Sequence, residues 1–265
     1  MSDAVLIEED REGVRLLRLN RPERKNALTN ELGWAIVSAF ERAACDDAVR
    51  VVGVTGAGDA FCSGADLAPD EPHTPLSSSN AAVDDLGWVG RFPIVARLVC
   101  DKPVIAGVNG VAIGAGLALA LCADARIASS AARFHPGYAR AGTSPDGGLS
   151  WTLPQLVGHE RAMRFLLDQE MIEAEAAQSL GLVGEVVEAS AFPARFLAYC
   201  EQLAGVAPIA ARQTKRLVTR AGLPRDLEAH LREEMRYVYR GLSSEDGREA
   251  VRAILEKRRP RFRGL

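Results

Sequence analysis

The chain has 265 residues, 48% of them hydrophobic and 25% charged, with a net charge of −3. That balance supports a sizeable core and excludes a disordered or low-complexity class. It also gives no general basis for nucleic-acid binding. The acidic opening "MSDAVLIEEDREG" lacks an apolar stretch of signal-peptide length and argues against export. Five scattered cysteines (Cys45, Cys62, Cys100, Cys122, Cys200), with no CxxC pair, point to reduced thiols in a cytoplasmic setting, with neither a zinc site nor a disulfide frame.

In chain order, "VRLLRLN" (Val14 to Asn20) reads as a strand and "RPERKNAL" as a turn. Thr29 then caps a helix that runs to about Cys45, with Leu32, Ile36, Val37 and Phe40 on one face. "VRVVGVTG" is a buried strand, and "AGDAFCSGADL" is a Gly-rich loop. The Pro- and Ser-rich stretch from Pro69 to Asn80 reads as a surface loop, followed by a helix from Val83 to Leu98 that bends near Pro93.

The segment Pro103 to Asp124, "PVIAGVNGVAIGAGLALALCAD", is long enough for a membrane span of roughly 20 residues. Its punctuation says otherwise. "PVIAGV" is a short β-branched run, Asn109-Gly110 is a turn pair, and "AIGAGLALALCA" is a helix apolar on all sides, which means burial. The strand "ARIAS" follows. This alternation predicts an α/β core with a largely parallel sheet. From Gly147 onward the pattern is mostly helical, with "EVVE" the exception.

Three places stand out for chemistry. "AFCSGADL" and the "GAG" at Gly114 to Gly116 each follow a predicted strand and are built from small residues. Small residues let a backbone approach a ligand, and free N–H groups at a helix start favour negative charge. Two such groups can hold one oxyanion, each donor contributing about 3 kcal/mol in a transition state. On spacing alone, tight packing is the favoured reading, because a Gly-rich turn is a weak signal. The third place is Asp146 in "RAGTSPDGGLSW", either plain turn chemistry or a general base desolvated near Trp151.

Taken together, "RPERKNAL", "FCSGADL", "KPVIAGVNGVAIGAGLALALCADARIAS", "RAGTSPDGGLSWTLPQLVG" and "EAEAAQSLGLVGEVVE" resemble the enoyl-CoA hydratase/isomerase (crotonase) family over nearly the whole chain. The resemblance implies an α/β crotonase (ClpP-like) spiral of ββα units over residues 1–200. A helical C-terminal trimerisation region over 201–265 would follow, in a homotrimer or dimer of trimers. It implies an acyl-CoA thioester as substrate, with no cofactor beyond the CoA the substrate carries, and no metal. The backbone N–H groups of Ala65 and Ala115 would hold a thioester enolate.

The same resemblance places Arg24, Lys25, Ala27, Ser63, Gly64, Asp66, Leu67, Gly114 and Tyr138 along the substrate and its CoA. It offers the basic tail "EKRRPRFRG" a part in phosphate binding, with a solvated face equally open. Family hydratases carry two glutamates where this chain has Ala118 and Tyr138. Asp146 matches the acid/base of the family's isomerases, among them the phenylacetate-pathway isomerase-like subgroup. An enoyl-CoA isomerase is therefore the leading expectation. Hydration, hydrolysis, dehalogenation and non-catalytic acyl-CoA binding stay open. His135 is a candidate for polar lining, Tyr138 and Trp151 for pocket or core, and Cys62 for packing; His73, His159 and His230 receive no role.

Overall fold

The computed structural model describes residues 4–68, 86–221 and 227–261. The loop expected over 69–80, with His73, and the first residues of the helix expected from Val83 lie outside them. The first strands are β1 (Leu6–Arg11) and β2 (Val14–Leu19), followed by helix α1 (Asn30–Cys45). Then come β3 (Val51–Gly56), β4 (Ala60–Cys62), α2 (Gly87–Ile94), β5 (Val104–Val108), β6 (Val111–Ile113), α3 (Ala115–Cys122), β7 (Ala125–Ser129) and β8 (Arg133–His135). Mostly helical structure follows: α4 (Leu149–Val157), α5 (His159–Asp168), β9 (Ile172–Glu173), α6 (Ala174–Ser179) and β10 (Glu185–Val187). The chain closes with α7 (Phe192–Ala204), α8 (Pro208–Ala221), α9 (Leu227–Ser243) and α10 (Glu245–Leu255).

The strands form two sheets, one ordered β1-β2-β3-β5-β7-β10 and the other β4-β6-β8-β9. In the larger sheet only β1 runs antiparallel to its neighbour. In three successive passes (β3 and β4, β5 and β6, β7 and β8) the chain crosses the larger sheet, turns into the smaller one and leaves towards a helix. That repeat is the expected spiral of ββα units. It places the ends of β4, β6 and β8 side by side, which brings the turns that follow them together.

Local chemistry explains the main elements. Thr29 caps α1 as predicted, its hydroxyl accepting the Leu32 N–H at 3.2 Å. Leu32, Ile36, Val37 and Phe40 fill the core beneath that helix. Every residue of α3 is buried, so a helix apolar on all sides is an interior element here and not a span. Among the described residues no helix is long and apolar enough to cross a membrane.

Two expectations need correction. The helix expected over "AIGAGLALALCA" begins only at Ala115, and Val111–Ile113 is strand β6, paired on both sides by β4 and β8. The Gly-rich loop contains β4, and β1 lies in the acidic opening, which carries no structural expectation. The interruption expected near Pro93 is present: α2 ends at Ile94, one residue after Pro93, and the chain continues as a widened π turn over Val95–Val99. For β4 and β6 neighbouring strands override a weak local pattern. β1 is a charged edge strand that buries only Leu6, so its alternation is nearly invisible.

Candidate active site

The turn after β4 and the turn after β6 meet. Gly64, at φ +94°, has no room for a side chain: a Cβ there would lie 2.8 Å from the Ile113 carbonyl oxygen and 3.8 Å from the Ala115 amide nitrogen. A residue tolerant of positive φ is needed on both counts. Gly116 lies as close to β4, where a Cβ would stand 2.4 Å from the Cys62 carbonyl oxygen. The small residues of "SGAD" and "GAG" therefore let two backbones approach each other.

The Ala65 segment is fastened at its flanks. Leu28 N–H donates to the Gly64 carbonyl at 2.8 Å, and Asp66 N–H to the Leu28 carbonyl at 2.9 Å. Ala65 itself stands between these bonds, and its amide has no acceptor among the described residues. Ala115 opens α3, so its N–H is one of the first four that a helix leaves without an internal partner. It too has no acceptor among the described residues. Two amides from separate turns are thus available at one place.

Asp66 explains part of the rigidity. Its carboxylate is buried and accepts Arg21 Nη1 and Arg24 Nη2, each at 2.9 Å, and the Ala68 N–H at 3.1 Å. Burial would raise its pKa, but the two guanidiniums outweigh burial and hold it below the ordinary value. Arg21 also donates to the Ala27 carbonyl at 2.7 Å, tying the turn before α1 to the same anchor.

Asp146 approaches from the third turn. It precedes Gly147 and Gly148, both at positive φ, and the start of α4. A Cβ at Gly147 would lie 2.8 Å from the Ala118 Cβ, so this turn rests directly on the first turn of α3. Tyr138 O–H donates to Asp146 Oδ1 at 2.7 Å. The Asp146 carboxyl is pushed up from 3.8 to about 7. Desolvation is the main cause, the Tyr138 bond opposes it, and the negative charge of Glu234 adds to it. What surface Asp146 retains faces a cavity.

That cavity has a volume of about 1520 Å³, above the roughly 300–1,000 Å³ of drug-sized pockets. Ser63, Gly64, Ala65, Asp66, Leu67, Gly114, Ala115, Tyr138 and Asp146 all line it. Three of the residues expected along the CoA do not. Arg24 holds Asp66, Lys25 Nζ pairs with Asp59 at 2.7 Å, and Ala27 is buried beneath the turn. His135 lines the wall, its Nε2 at 2.9 Å from the Gln169 carbonyl oxygen, and burial lowers its pKa. Trp151 is core, its ring packed edge-on against His230 with centroids 5.1 Å apart. Cys62 is fully buried, and desolvation pushes its thiol up to about 12, far from a reactive thiolate.

Sequence reasoning missed several wall residues. Trp88 lines the cavity, anchored by its Nε1–H to Asn30 Oδ1 at 3.0 Å. From the C-terminal helices come Met235, Val238 and Leu242, with the basic Arg248 and Arg252; they are joined by Lys257 and Arg259 of the basic tail that sequence reasoning did single out. Sequence reasoning also missed Glu234, which is buried on α9 beside Leu231, Met235 and Val238. A signal existed: a glutamate at i+3 from one apolar residue and i+1 and i+4 from the next two sits inside a hydrophobic stripe. Among the described residues no group of His, Cys, Asp and Glu is arranged to hold a metal ion.

Two sheets wound from ββα passes, with an acid side chain and two acceptor-less amides lining one cavity, define an α/β protein of the crotonase fold. The chain belongs to the enoyl-CoA hydratase/isomerase family, whose model matches residues 9–264. A probable enoyl-CoA hydratase of Rhodobacter capsulatus is 38% identical over 254 residues, 96% of this chain and 95% of that protein. The 1,2-epoxyphenylacetyl-CoA isomerase of Escherichia coli is 36% identical over 256 residues, 95% of each. A crystal structure of an enoyl-CoA hydratase/isomerase from Pseudoalteromonas atlantica superposes with a TM-score of 0.88 at 34% identity, over 98% of this chain and 100% of that one.

Proposed function

We propose that this family member shifts the double bond of an enoyl-CoA, with Asp146 as sole acid and base. Asp146 takes a proton from the carbon next to the thioester carbonyl. The electron pair delocalises onto the carbonyl oxygen, and the Ala65 and Ala115 N–H groups hold the resulting enolate or dienolate. Asp146 then returns the proton two carbons further on, which restores the carbonyl and completes the shift. One carboxyl suffices because removal and return of the proton are sequential.

The observation that carries this reading is a carboxyl held near pH 7 on the wall that also presents two acceptor-less amides. A group titrating close to the working pH serves both as base and as conjugate acid. Tyr138 and Ala118 stand where family hydratases carry glutamates, and neither supplies a second carboxylate. The basic end of the cavity suits the phosphates of CoA, and the acyl group would then lie towards Trp88 and Val238. No cofactor or metal enters the scheme. A cytoplasmic setting and a homotrimer or dimer of trimers, built through residues 201–265, belong to the same proposal. Five unpaired cysteines support the former, and exposed Ile209, Leu217 and Val218 on α8 support the latter.

The test is a panel of acyl-CoA esters assayed in parallel for double-bond movement, hydration and thioester cleavage, with the wild type and Asp146→Asn. The expected result is isomerisation by the wild type and a loss of roughly 10²–10⁴-fold in the variant. Activity of Asp146→Asn within a few-fold of wild type removes Asp146 from this role. Water addition as the only reaction replaces isomerase by hydratase.

A further inference from the structure

The start of α4 is held by a buried carboxylate from a distant part of the chain. Glu234, on α9, accepts the Gly148 N–H at 2.9 Å and the Ser150 N–H at 3.2 Å, and also the Ser150 hydroxyl. These donors belong to the turn that begins at Asp146, where the Leu149 N–H closes back on the Asp146 carbonyl at 2.9 Å. His230 Nε2 lies 2.7 Å from Ser150 Oγ and 3.5 Å from Glu234 Oε1. The trio does not have the layout of a hydrolytic relay. There the carboxylate and the hydroxyl take opposite nitrogens of the ring, whereas here both take the same one. With the Ser150 hydroxyl donated to Glu234, the trio works as a clamp.

We propose that Glu234 is a positioning residue for Asp146: its carboxylate fixes the turn that presents Asp146 to the cavity and sets a negative charge behind it. The inference rests on the role proposed for Asp146. Glu234 does not line the cavity, so it acts through Asp146 and not on the substrate. The surroundings of Asp146 bear this out. Tyr138 donates to it, Arg140 and Arg248 line the same cavity, α2 brings Arg91, α3 brings no charged side chain, and α9 brings Glu234 with His230 behind it. Of the charges, Glu234 is the one that raises the Asp146 carboxyl.

The experiment compares the wild type with Glu234→Gln and Glu234→Asp. The Asp146 side-chain carboxyl is titrated by ¹³C NMR without substrate, and kcat and KM are followed against pH with an enoyl-CoA. Glu234→Gln removes the charge, so the Asp146 midpoint should fall by about one pH unit, and the acid limb of kcat/KM should fall with it. Glu234→Asp keeps the charge but withdraws the carboxylate by one methylene. Its midpoint should stay within 0.3 or so of wild type, while kcat drops about tenfold at unchanged KM.

An unmoved Asp146 midpoint in folded Glu234→Gln overturns the inference. So does wild-type kcat in Glu234→Asp, which decides the matter should the glutamine variant not fold. A wild type that moves no double bond, yet shows the midpoint shift, overturns the isomerase reading and leaves the Glu234 link standing.

Discussion

Tyr138 donates its hydroxyl to Asp146 Oδ1 at 2.7 Å, so a phenol stands directly on the carboxyl that burial desolvates. The phenol is itself buried, and desolvation followed by the Asp146 charge raises its pKa well above the ordinary value. It therefore remains a donor throughout the working range and stabilises the ionised form of Asp146. Burial and hydrogen bonding pull this carboxyl in opposite directions, and burial wins.

That competition gives the first expectation. Tyr138→Phe removes a bond that lowers the Asp146 pKa, so the carboxyl should titrate higher still. The acid limb of kcat/KM should move upward by about one pH unit. A limb that stays in place, in a variant that retains its fold, refutes the coupling.

Gly64 supplies the second. Alanine there faces both a positive φ and a contact of 2.8 Å with the Ile113 carbonyl oxygen. Relief requires the Ala65 and Ala115 turns to part, which should cost roughly 10²-fold in kcat by misplacing one oxyanion donor. Binding of the CoA portion, measured by calorimetry with a non-reactive acyl-CoA, should change little.

Ala118 supplies the third. A glutamate at this position resembles a step towards a hydratase, yet Ala118 is 1% exposed and faces Gly147, where a Cβ would stand 2.8 Å from its own. Ala118→Glu should gain no hydration and should lose about 2–4 kcal/mol of stability through overpacking and a poorly partnered carboxyl. Thermal denaturation and an enoyl-CoA hydration assay check both parts. A stable, hydrating variant would show that the loop carrying Asp146 yields easily.

Stability against pH supplies the fourth. Asp146 has a folded pKa of about 7 against 3.8 unfolded, so the native state binds its proton more tightly. The favourable contribution is fully present below about pH 4 and is lost as pH rises through 7. Asp146→Asn escapes that loss. Its thermal midpoint relative to wild type should climb between about pH 4 and 7 and level off above. A constant difference across that range contradicts a raised carboxyl.

Much of this was legible locally. The Thr29 cap, the buried strands Val51–Gly56 and Val104–Val108, and an interior α3 follow from capping chemistry, β-branched runs and an unbroken apolar surface. The resemblance pointed to Ala65, Ala115 and Asp146, and these three residues line one cavity. Three-residue strands such as β4 and β6 were not, because so short a run carries no period and exists only through its neighbours. The basic turn "RPERK" reads as a ligand contact, and its Arg24 and Lys25 pair with Asp66 and Asp59. Charge type is visible in a sequence, but the partner a side chain chooses is not.

The chain by itself determined which segments must be buried, where backbones can approach, and which carboxyl stands at a loop apex, because side-chain size, polarity and capping act over a few residues. Only the tertiary structure decided that the amides of Ala65 and Ala115 share one wall, that Tyr138 and Glu234 pull Asp146 in opposite senses, and that α9 reaches back to clamp α4. Electrostatics and desolvation act through space. Residues 88 positions apart, such as Asp146 and Glu234, acquire an interaction only once folding has excluded the water between them.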